Sequence, residues 1–130
     1  LILKLFSKFL ALFIAIIMMT GLLYAVDPLP HPNPWRCGEN NSANGGIDFN
    51  VRTDAVKADL RIYNLNGDQV RYIEVTDAGL LATGTVTWNG HNDNGWMVAG
   101  GVYFYALEVE FPSGTGTEDK TYKGRIIIIN

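Results

Sequence analysis

The chain has 130 residues, enough for one small domain and too few for two. Its formal charge at pH 7 is −3; two of the ten Lys and Arg residues, Lys4 and Lys8, stand at the front, while all thirteen Asp and Glu lie beyond Ala25. The acidic remainder argues against nucleic acid as a partner, which needs a basic patch, and the single cysteine, Cys37, excludes an internal disulfide.

In chain order, residues 1–25 come first. LILKLFSKFLALFIAIIMMTGLLYA has a positive start, an uncharged apolar run from Phe9 to Tyr24, and small Ala25 at its end. That is the layout of a secretory signal peptide, and it predicts cleavage after Ala25. The alternatives are an uncleaved membrane-anchor helix and a pilin-like helix in a filament core. The run is near the short end of the roughly 17–25 residues that span a bilayer. The expected location is therefore exported: periplasm, cell surface or medium, with membrane contact only through residues 1–25 if they are retained.

Residues 26–46 are predicted to be an extended linker. Pro28, Pro30, Pro32 and Pro34 alternate through PLPHPNPW. Each proline fixes its own φ and pushes the preceding residue towards extended geometry. GENNSANGG then has the composition of a loop. Cys37 lies in this segment and is expected to be an unpaired thiol, the alternative being a bond to another molecule.

From Ile47 the pattern has period two, and residues 47–130 are predicted to form one β domain. Ile47, Phe49 and Val51 alternate with Asp48, Asn50 and Arg52; Ala58, Leu60 and Ile62 alternate with Asp59, Arg61 and Tyr63. Residues 64–68, NLNGD, are a turn, and residues 69–75 resume a strand. Val86 and Trp88 mark a fourth strand. Residues 101–110 form a long fifth, with Glu108 and Glu110 wet and Tyr103, Tyr105, Leu107 and Val109 inward. Residues 112–119 are expected to be a loop, and residues 122–129, ending in RIIII, a last strand. No segment after Ala25 shows a helical period with caps. Six to seven short strands in this length predict an all-β sandwich. Its core would be Ile47, Phe49, Leu60, Ile62, Val70, Val86, Trp88, Tyr103, Tyr105, Leu107 and one face of residues 126–129.

Little in the sequence points to catalysis. The serines are Ser7, Ser42 and Ser113, the histidines His31 and His91, and none forms a G-x-S-x-G turn. Glu108, Glu110 and Asp48 could supply paired carboxylates, but a solvated strand face explains them better. Asn89, His91, Asn92, Asp93 and Asn94 crowd one loop, as calcium ligands do. Counting back from Gly95, however, puts Gly90 where an EF-hand needs its first Asp, and zinc would need more His or Cys. Asn89-Gly90 and Asn94-Gly95 are strong turn dipeptides. The loop is thus expected to be structural, with Trp88 and Trp96 packing at its two ends. The sequence predicts no catalytic, cofactor-binding or metal site.

Several motifs occur in order: His31-Pro32-Asn33-Pro34-Trp35, the run ADLRIYNLNG from Ala58 to Gly67, WNGHNDNG from Trp88 to Gly95, Gly101-Val102-Tyr103-Phe104-Tyr105, and Lys123-Gly124-Arg125-Ile126. Together they resemble the Ig-like domain of the flagellar hook-capping protein, and equally the C-terminal sorting domains of type IX secretion substrates. The likeness spans nearly all of residues 30–130. Trp35 stands where the family has Phe, and Asn64 and Asn89 where it has Asp. The resemblance implies an Ig-like β-sandwich of six to seven antiparallel strands, preceded here by the signal or anchor helix. The function it implies is non-enzymatic binding or assembly with a protein partner at the cell surface or envelope. The alternatives it leaves are a sorting module of the type IX kind and an accessory domain of a longer secreted enzyme.

Overall fold

The computed structural model describes residues 29–37 and 45–130; the leader predicted at residues 1–25 lies outside them. The described chain is mostly strand: β1 (Trp35–Arg36), β2 (Ile47–Asn50), β3 (Lys57–Tyr63), β4 (Gln69–Val75), β5 (Thr85–Trp88), β6 (Gly101–Ser113) and β7 (Gly116–Ile129). Five of these form one sheet in the order β1-β7-β6-β3-β4, and β2 and β5 form a second, two-stranded sheet. Among the described residues no helix is long and apolar enough to cross a membrane.

The period-two segments became strands because each buries one side. In β6, Tyr103, Tyr105, Leu107, Val109 and Phe111 point into the core while Phe104 and Glu108 point out. The register stacks like with like: Leu60 of β3 and Tyr122 of β7 flank Leu107, and Ile62 flanks Tyr105. The small sheet covers this face. Ile47, Phe49, Val86 and Trp88 are buried against it, with the Phe49 ring edge-on to Tyr105 at 5.0 Å and the Trp88 ring edge-on to Tyr103 at 5.9 Å. Such aromatic pairs add about 0.5–1.5 kcal/mol each beyond their buried area. Ile126 and Ile128 face inward and Ile127 and Ile129 outward, as expected of one face of the last strand.

The structure corrects several expectations. The strands are not all antiparallel, because β1 runs parallel to β7 with Trp35 opposite Ile128. These two strands are far apart in sequence, so no hairpin dictates their relative direction. Val70 is only half-buried, since it lies on the edge strand β4. A helical turn, α1 (Ala78–Leu81), joins β4 to β5. Asp77 caps it, its Oδ1 accepting from Leu80 N at 3.0 Å, and Leu81 is buried. Four residues are too few to show a helical period. Residues 112–119 are not a loop: β6 and β7 stay paired as far as Ser113 and Gly116. Gly114, at φ +57°, opens the tight turn between them.

Part of the proline segment joins the sheets. His31 N donates to Asp48 O at 2.9 Å and Asp48 N to His31 O at 2.8 Å. The His31–Pro32 and Asn33–Pro34 peptide bonds are both cis.

Candidate functional site

The loop between β5 and β6 carries the polar residues that made it a candidate ion site. Most of its side-chain oxygens bond the chain itself. Asn89 Oδ1 accepts from His91 N at 3.1 Å; Asn92 Oδ1 accepts from Asn94 N at 3.0 Å and Trp96 N at 2.9 Å. These are side-chain-to-backbone turns of the kind Asn favours. Gly90 has φ +77°, and a Cβ there would collide with the Trp35 ring, so glycine is required twice over. Among the described residues no three of His, Cys, Asp or Glu group together to hold a metal ion.

Trp88 behaves as expected. It is fully buried at the end of β5, and its Nε1–H donates to His91 O at 2.9 Å. Trp96 corrects the expectation that it would pack on the core, for it is 74 % exposed. Asn92 holds residues 94–96 in a turn, Gly95 takes φ +83°, and the reversal points the Trp96 ring outward. Val98 supplies the buried contact instead.

Two side chains continue strand pairing where the backbone stops. The β1–β7 register would place residue 33 opposite Ile126. There the Asn33 amide does the pairing: Nδ2 donates to Arg125 O and Oδ1 accepts from Ile127 N, both at 3.0 Å. Pro32 and Pro34 have no N–H, so a side-chain amide is what this segment can offer. At the opposite edge of the sheet, Asp93 N donates to Val70 O at 2.9 Å and Asp93 Oδ1 accepts from Tyr72 N at 3.1 Å. Arg71 Nη1 lies 3.6 Å from the same carboxylate oxygen. The one charged residue of the loop therefore covers part of an open sheet edge.

The carboxylates considered as a pair lie apart from the third. Glu108 and Glu110 share the outer face of β6. Asp48 belongs to the small sheet, where its Oδ1 accepts from Thr87 Oγ1 at 2.6 Å. Ser113 ends β6 and is exposed, while Ser7 and Ser42 lie outside the described residues. Cys37 Sγ donates to Met97 Sδ at 3.6 Å, and burial raises its thiol pKa.

The outer face of the five-stranded sheet is sorted by chemistry along the strand axis, which the sequence reading missed. Where Phe104 lies between Tyr63 and Arg125, and Ala106 between Arg61 and Lys123, the face is aromatic and cationic. Small Ala106 leaves an open groove of about 670 Å³ there, lined also by Tyr63, Phe104, Lys123 and Arg125. One step along, Glu108 lies beside Asp59, and Asp59 beside Glu74; beyond them Glu110 is opposite Asp119. Tyr72 OH stands 3.0 Å from Asp59 Oδ1 and 2.9 Å from Glu74 Oε2, and Lys57 Nζ lies 3.2 Å from Asp59 Oδ2. The two carboxylates, Glu74 foremost, push the Tyr72 phenol up to about 12. Phe104, Ile127 and Ile129 are the exposed large apolar side chains that stand on the named strands, and all three lie on this face. Phe104 could have been found from sequence, because in GVYFYALEVE it falls out of phase with the inward residues.

No curated protein matches the chain. Among solved structures, dimeric latent PorU from Porphyromonas gingivalis shares the fold: 20 % identity and a TM-score of 0.53 over 79 % of this chain. The match spans only 9 % of the PorU chain. The family profile of the FlgD Ig-like domain matches residues 33–111, from the Asn33 edge clamp to the end of the inward row of β6. By that match, over more than half its length, the chain belongs to the FlgD Ig-like domain family.

Proposed function

We propose that the chain is a non-enzymatic, exported module that works by binding or assembly at the cell surface or in the envelope, with a protein as partner. The observation that supports this reading is the outer face of the large sheet. There an exposed aromatic, Phe104, stands in a groove rimmed by Lys123 and Arg125. Large apolar side chains gathered on an exposed strand face mark contact surfaces more often than solitary ones do. The test is retention of the tagged full chain in the envelope of its host. Wild type should remain with the cells, and a folded Phe104→Glu/Arg125→Glu variant should be released into the medium. Equal retention of the two, or a wild type that stays in the cytoplasm, overturns the reading.

A second reading is a sorting module of the type IX kind. It is favoured by the motifs shared with such domains, from Asn33 to the Lys123-Gly124-Arg125-Ile126 run. A reporter carrying residues 26–130 at its C-terminus should then reach the surface of a type IX-competent host, and should not in a secretion-deficient strain.

A further inference from the structure

The outer face carries its own complement. Its cationic and aromatic part, with Arg61, Tyr63, Phe104, Lys123 and Arg125, lies towards one end of the strands; its carboxylate part, with Asp59, Glu74, Glu108 and Glu110, lies towards the other. The boundary falls between Ala106 and Glu108. Lys123 and Arg125 form no salt bridge with any described residue, nor do Glu108 and Glu110. Lys57, opposite Glu110, neutralises the Asp59–Glu74 corner of the carboxylate part. The Glu108–Glu110 and Lys123–Arg125 rows remain segregated by charge, although alternating them would be the simpler way to stabilise an isolated sheet face.

We infer that the partner of this face is a second copy of the chain, docked sheet face to sheet face about a two-fold axis that crosses the strands between Ala106 and Glu108. The inference rests on the binding role proposed above and names its occupant. A two-fold axis lying in the interface plane reverses the strand direction of the second copy. It therefore lays the cationic part of each copy over the carboxylate part of the other, the self-complementary arrangement an isologous dimer requires. Lys123 and Arg61 meet Glu108 of the other copy, and Phe104 and Arg125 meet Glu110 and Asp119. Ile127 and Val102 fall against the Pro112 end. Sheets packed this way sit about 10 Å apart, within reach of Lys, Arg and Glu side chains from both faces. A parallel stacking would set cation on cation and carboxylate on carboxylate, so the charge pattern selects one orientation.

The test is sedimentation equilibrium of the full chain as wild type and as two charge-reversed variants, Lys123→Glu/Arg125→Glu and Glu108→Lys/Glu110→Lys. All four positions are solvent-facing, and thermal unfolding confirms that each variant is folded. Wild type should self-associate, more weakly as salt shortens the screening length below about 10 Å. Each variant alone should self-associate at least roughly tenfold more weakly. A 1:1 mixture of the two should pair again, because one then carries carboxylates at positions 108, 110, 123 and 125 and the other carries cations there. A monomeric wild type overturns the inference. So does equal association of all samples, which would place the contact elsewhere on the chain, or a mixture that does not re-pair. A monomeric wild type whose envelope retention still depends on Phe104 and Arg125 would overturn the self-pairing and leave the binding role standing. Self-association without any effect on retention would do the reverse.

Discussion

At the scale of single residues, Tyr72 shows how this sheet face couples charge to fold. Its one hydroxyl proton serves two carboxylates, Asp59 and Glu74, and Lys57 sits close by at 3.2 Å from Asp59 and 3.5 Å from Glu74. A phenolate there would face two negative groups, so its pKa rises from 10.0 to about 12. The folded state favours the protonated phenol more than the unfolded chain does. Its contribution to stability is therefore fully present below pH 10 and is lost as pH rises through about 12. Tyrosine absorbance at high pH should show a late phenolate step near the upper value in wild type, absent in Tyr72→Phe. The variant should also lose less of its stability between those two pH values. A late step that persists in Tyr72→Phe would assign it to another tyrosine, of which Tyr103, raised by burial, is the obvious one.

At the scale of elements, the strands that could be predicted were those with one dry face. β3 and β6 alternate apolar and polar residues because their inner sides meet the small sheet. The start of β7 reads as loop in the sequence because residues 116–121 are exposed on both sides and show no alternation. β1 was out of reach of any periodicity argument. It is two residues long, and what secures it is a side chain bonding a strand more than ninety positions away. Asn33 is thus the test of the element. Asn33→Ala removes both amide bonds and should cost about 1–2 kcal/mol, since water can partly replace them at this exposed edge. Asn33→Asp keeps the acceptor for Ile127 N but has no donor for Arg125 O. Amide hydrogen exchange should report this directly: Ile127 exchanges fast in Asn33→Ala and stays protected in Asn33→Asp, while the centre of β6 is unchanged in both. Equal protection of Ile127 in all three proteins would mean that the clamp is not what orders β1.

At the scale of the whole molecule, a buried ring joins the two sheets. Trp88 closes β5, packs edge-on against Tyr103 of the large sheet, and ties the loop beyond it through His91 O. The sequence placed Trp88 correctly because its alternation with Val86 put both on the dry side of β5. It misplaced Trp96, because the direction in which a turn projects its next residue depends on φ angles that composition does not encode. The outer-face pattern was hidden for a related reason: it exists only once the registers of β3, β4, β6 and β7 line up residues from four separate stretches. Trp88→Ala removes the ring from a fully buried site and should cost about 3–5 kcal/mol, a large share of the roughly 5–15 kcal/mol such a domain has. Near the midpoint, each kcal/mol is worth several degrees for a domain of about a hundred residues, so the midpoint should fall by more than about 12 °C. Trp88→Phe restores most of the apolar volume but leaves His91 O without its donor, and should lie between the two. Asp93→Ala, which touches only an exposed strand edge, should stay close to wild type, with and without calcium. Thermal unfolding of the four proteins, each with calcium and with chelator, separates the outcomes. If calcium raises the wild-type midpoint and Asp93→Ala abolishes the rise, the loop is an ion site. If Trp88→Ala melts like wild type, the two sheets are held together by something other than this ring.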